Sequence, residues 1–117
     1  MKIVLVAGCA AALLAGCADN YSPSCKHAVP LTSPWTGFGL PVDEGRVCSS
    51  SADEAHLEFT SGTKDARMAA LEARILAQGY TKKECKSDFC VYVKDKARVT
   101  LHGMDAHKWK TFILRSK

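Results

Sequence analysis

The stretch TKDARMAALEARILAQGY, residues 63–80, decides the fold. Met68, Leu71, Ile75 and Leu76 recur at three- and four-residue spacing and make one apolar stripe on a helix over residues 64–78. Ala66, Ala69, Ala70, Ala73 and Ala77 add strong helix propensity. Thr63 or Ser61 can cap the start, and Asp65 complements the first-turn dipole. Gly79 ends the helix, with Tyr80 able to fold back on its last turn. A stripe of methionine and aliphatic residues is the mark of a core helix, not of a cofactor surface.

On the carboxyl side only strand signals follow. Residues 80–84 lead into a Cys85–Cys90 loop, and Cys90-Val-Tyr-Val93 resumes the strand pattern. After a turn at residues 94–96, Ala97, Val99 and Leu101 alternate with Arg98, Thr100 and His102. Residues 103–107 read as a loop around Gly103, and residues 109–114 as a last strand. On the amino side, Ala55, Leu57 and Phe59 alternate with His56, Glu58 and Thr60, with a short strand ahead at residues 46–48. The expected fold is α+β: a small two-layer sandwich, one helix on a mostly antiparallel sheet, with two disulfides. With 117 residues there is room for one such domain, placed at 45–117.

The first residues belong to a different kind of segment. Lys2, an uncharged run from Ile3 to Leu14 and a small-residue site form a secretory signal peptide over residues 1–16. The run is shorter than the roughly 20 apolar residues of a membrane-spanning helix. Leu14-Ala15-Gly16-Cys17 resembles the lipobox of bacterial lipoproteins, a match confined to the leader. The resemblance implies a diacylglyceryl thioether on Cys17, cleavage before it, and in many bacteria acylation of the freed amine by a chain such as palmitate. Val6-Ala7-Gly8-Cys9 fits the same pattern but leaves too few residues ahead for an apolar segment. Two or three acyl chains anchor a protein without spanning the bilayer. Ala18 follows Cys17, with Asp19 one place later, and by resemblance to the sorting rule for such proteins the anchor lies in the cell outer membrane, facing the periplasm.

Cys25, Cys48, Cys85 and Cys90 remain in the exported part. Four thiols in a small domain in an oxidising compartment suggest two disulfides, of three possible pairings. The four-residue spacer Lys-Ser-Asp-Phe suits a hairpin end closed by Cys85 with Cys90, which leaves Cys25 with Cys48. The spacing fits neither a zinc ribbon nor a Cys-x-x-Cys redox pair, and no metal or other cofactor is expected.

Residues 17–44 read as a lipidated terminus and a Pro/Gly-rich tether holding all four prolines. Trp35, Phe38 and Leu40 in that stretch either lie back on the domain or form an exposed patch for a partner, Trp35 and Phe38 being the candidates. Charge divides unevenly: residues 18–79 carry a net −3 and residues 80–117 a net +6. The basic half is either a solvated face whose lysines discourage strand-edge pairing, or a patch for an acidic partner. Lys86, Phe89, Lys94, Lys96 and Arg98 are its candidate binding residues.

No phosphate-cradling glycine loop, nucleophile elbow or calcium loop is present in the sequence. His102, Asp105 and His107 are a weak candidate metal trio, and His56 with Glu58 a weak acid–base pair. The expectation is a non-catalytic binding or accessory module of the envelope, held to the membrane by lipid, with a protein partner and no nucleic acid. The rival is a periplasmic inhibitor or immunity protein, presenting residues 86–89 as a protruding loop. A hydrolase accessory with a hidden site is the third reading.

Overall fold

The computed structural model describes Cys25 and residues 27–106 and 108–116. Cys9, Cys17, the leader, the first residues of the tether and His107 lie outside the described residues. Among the described residues there are one α-helix and six strands. Strands β1 (Arg46–Ser50) and β2 (Glu54–Phe59) precede helix α1 (Lys64–Ala77). Strands β3 (Thr81–Lys86), β4 (Phe89–Lys94), β5 (Ala97–Ala106) and β6 (Trp109–Ser116) follow it. The strands form one sheet in the order β1-β2-β6-β5-β4-β3, every neighbouring pair antiparallel.

The helix forms where its signals placed it. The Thr63 hydroxyl accepts from the Ala66 amide at 3.1 Å, and Asp65 occupies the first turn. Gln78 closes the last turn, and Gly79 takes a φ of +93°, which a side chain would resist. Leu71 and Ile75 are fully buried. Leu76, expected in the same stripe, is 39% exposed, because the buried face is narrower than the apolar pattern.

The strands β3–β4 and β4–β5 are joined by two-residue turns at Ser87-Asp88 and Asp95-Lys96. Ser87 and Asp95 carry positive φ there, as tight hairpins require. The loop expected at residues 103–107 is corrected: the strand β5 continues to Ala106. Gly103 is paired with Phe112 inside the ladder. It is a packing glycine, since a Cβ there would lie 2.9 Å from both the Met68 sulfur and the Phe112 ring.

One cluster forms the core. Leu57 and Phe59 of β2, Tyr92 of β4, Leu101 of β5 and Phe112 of β6 meet Leu71 and Ile75 of the helix. Phe59 and Phe112 pack edge to face at 5.8 Å. Trp35 and Phe38 belong to this cluster too, which corrects their candidacy for an exposed patch. They lie on a short 3-10 turn (Trp35–Phe38), at 0% and 7% exposure. The Trp35 indole donates to the Ser51 carbonyl at 2.7 Å, so its polar end is satisfied in place. Phe38 stacks against Tyr80 at 5.8 Å. Part of the lead-in expected as tether is thus packed on the sheet, with Val29 also donating to the Val47 carbonyl along the β1 edge.

The four cysteines stand in the expected pairs. Cys25 and Cys48 have Cα atoms 5.3 Å apart, and Cys85 and Cys90 4.0 Å apart, directly opposite each other across the β3–β4 hairpin.

Candidate functional site

Leu71 and Ile75 of the helix share one buried cluster with Leu57, Leu101 and Phe112 of the sheet, and alternation sends the other side chains to the opposite face. The strand register arranges that second face in rows. One row runs Phe89, His102, Ile113, His56 across β4, β5, β6 and β2. The next runs Met104, Thr111, Glu58, Arg46, and beyond it Ala106 pairs with Trp109. This is not the solvated polar face that alternation alone suggests. Met104, Trp109 and Ile113 are half-buried, Val91 and Thr111 are buried, and Phe89 is 38% exposed. Phe89 meets the His102 ring edge to face at 5.7 Å.

Glu58 is the departure that matters. Placed on the polar side of its strand, it was expected in solvent, and it is fully buried. Arg46 lies beside it with Nε at 3.6 Å, and His56 Nε2 is 3.6 Å from its other oxygen. The Arg46 guanidinium in turn stacks on the Trp109 ring at 4.2 Å. The Cys25 and Cys48 sulfurs complete the surroundings, within 4.8 Å of a Glu58 oxygen. Distant parts of the chain therefore close over this carboxylate, which no local pattern could reveal. Both Glu58 oxygens, Arg46 Nε and His56 Nε2 are buried without a hydrogen-bond partner. Arg46 and His56 each face a Glu58 oxygen from just beyond hydrogen-bond reach. His56 Nε2 and both Glu58 oxygens are enclosed, while the rest of the His56 side chain is part-exposed.

On the helix side, a groove of about 280 Å³ runs between α1 and the β3–β4 hairpin. Asp65, Met68, Glu72, Lys82 and the Cys85–Cys90 pair line it. Tyr92 donates to Glu72 at 2.7 Å, and Lys82 lies 3.0 Å from the same carboxylate. Burial pushes the Glu72 carboxyl up, but the two donors outweigh it and hold Glu72 below the usual carboxylate range. Burial first, and then the bond to Glu72, push the Tyr92 phenol far up. Both groups are therefore fixed in one charge state near neutrality, the pattern of a structural bond.

The basic candidates separate by what they touch. Lys94 donates to the Gln78 carbonyl at 2.7 Å and caps the helix terminus, so its charge is already engaged. Lys86, Lys96 and Arg98 are exposed. The residue 86–89 segment is a short turn tied down at Asp88 and not a long projecting loop. Asp88 accepts from Lys64 at 2.5 Å and, through its carbonyl, from the Gly103 amide at 2.9 Å. That hydrogen bond holds the Lys64 ammonium above its ordinary range.

His102 and Asp105 do not converge. They are three residues apart on β5, so His102 joins the helix-free face while Asp105 lines a cleft with Thr63, Lys64 and Asp65 on the other. Two further sets of potential ligands are Cys25, Cys48, Glu58 and Glu72, Cys85, Cys90. In each, the sulfurs are joined to each other, leaving one carboxylate as donor. Comparison of the chain with family models, curated proteins and solved structures finds no match.

Proposed function

We propose that the chain is a cell-envelope lipoprotein, acylated at Cys17, whose small domain is a non-catalytic binding or accessory module. The leader carries this reading: a charged start, a short apolar run, and Leu14-Ala15-Gly16-Cys17 at its end. The two cysteine pairs at bonding distance support an oxidising compartment. The finer description of the fold belongs to the same reading, with the helix and the sheet as two stacked layers. Its support is that Leu71 and Ile75 share one buried cluster with Leu57, Leu101 and Phe112.

Glu58, one of the pair considered for catalysis, is fully buried, which favours binding over turnover. The inhibitor reading depended on residues 86–89 standing out from the surface, and the Lys64 and Gly103 bonds to Asp88 work against it. The test is cell fractionation of Cys17→Ala. The variant is expected in the soluble fraction while the parent stays with the membrane. Membrane retention of the variant would reject the anchor.

A further inference from the structure

We infer that the helix-free face of the sheet rests on the anionic bilayer surface to which the chain is anchored, an inference that rests on the acylation of Cys17 proposed above. Two independent observations carry it.

The first is the place where the anchor joins the domain. Cys25 is fixed to Cys48 on the Glu58 side of the sheet, which is the helix-free side. Cys17 precedes Cys25 by eight residues. Even fully extended, that span reaches at most about 28 Å. The lipid surface is thus held within that distance of Cys25, at high effective concentration, so weak contacts suffice to settle the domain on it.

The second is the chemistry of the face. Phe89, Met104, Ile113 and Trp109 are all partly exposed there, interleaved with His102 and His56. Tryptophan beside cations is characteristic of a membrane–water boundary, where an amphipathic ring sits at headgroup level. Lys86 and Arg98 are exposed on the same face, and Lys108 is exposed in the turn next to Trp109. The acids there are largely withdrawn. Glu58 is buried against Arg46, and Glu54 pairs with Arg115 at 2.8 Å, which leaves Glu84 exposed. Partly exposed apolar side chains flanked by unpaired cations complement anionic headgroups over acyl chains.

The test uses the mature acylated protein, extracted from membranes and reconstituted into vesicles of phosphatidylcholine and phosphatidylglycerol. Half of the vesicle preparations carry phosphatidylcholine brominated near the headgroup, which quenches tryptophan at that depth. Trp35 is fully buried, so Trp109 is the responsive fluorophore. The expected result is that the protein floats with the vesicles and loses about a third to a half of its emission in the brominated ones. Trp109→Phe is expected to abolish that loss. The double reversal Lys86→Glu with Arg98→Glu leaves both tryptophans in place and is expected to remove at least about half of it. Flotation with equal emission in both kinds of vesicle would overturn the docking while leaving the anchor standing. Failure to float would overturn both, and quenching unchanged by the double reversal would overturn the electrostatic complementarity on which the assignment depends.

Discussion

The two faces of the sheet are built on opposite principles. The helix side is apolar and fully paired: Trp35, Phe59, Leu71, Ile75 and Phe112 fill it, and the polar ends of Trp35 and Tyr92 each find a partner. The other side buries a charge, Glu58, between Arg46 and His56 with none of their facing atoms hydrogen-bonded. An apolar, paired core explains why the domain folds. An enclosed, underpaired carboxylate beside a partly apolar surface marks where folding alone does not explain the residues present.

The largest expected effect tests the closed face. Trp35→Ala removes a fully buried indole from the cluster and is expected to lower unfolding free energy by about 3–5 kcal/mol in denaturant titration. A loss below about 1 kcal/mol would return the lead-in segment to the status of a loose tether.

Arg46→Ala tests the open face. It leaves Glu58 buried without its cation, and about 3 kcal/mol of destabilisation is expected. Replacing both groups, Arg46→Met with Glu58→Leu, is expected to recover most of that loss, because it also removes the burial cost of two charges. If the double replacement were no more stable than the single one, the pair would be a source of stability and the contrast between the faces would fail.

Tyr92→Phe sharpens the comparison from the paired side. Losing its bond to an ionised Glu72 is expected to cost about 1.5–3 kcal/mol at neutral pH. Glu72 is held below its ordinary pKa, so its contribution is present above the unfolded carboxyl range and is lost as pH falls through the folded value. The difference between parent and variant is therefore expected to shrink below about pH 4. A difference that stays constant into acid would mean that the bond does not depend on the Glu72 charge. Thr63→Ala, which removes only the helix cap, is expected to cost about 1 kcal/mol by the same measurement. A change within about 0.2 kcal/mol would show that the helix start is held by packing alone.

The fold was legible wherever a local period or a cap carried it. Thr63, the Leu71–Ile75 spacing and Gly79 mark the helix within a residue, and the alternation around Leu57 and Leu101 places two strands correctly. Gly103 misled, because a glycine reads as a break when its role is to admit Met68 and Phe112. Trp35 sat among prolines and glycines, and nothing local records that its partner is the Ser51 carbonyl. The candidate surface was less legible than the fold. Phe89, His102, Ile113 and His56 come from four strands, and only the register brings them into one row. One signal was available in advance: Val91, Met104 and Ile113 fall at positions that a solvated face would give to polar side chains.

The claim on which the functional account stands is the lipid on Cys17. Intact mass measurement of the mature protein from the membrane fraction, with its amino-terminal peptide sequenced, tests it directly. The expected result is a chain starting at Cys17 that carries a diacylglyceryl group. A chain starting elsewhere, an uncut leader or a bare cysteine at that position would contradict it.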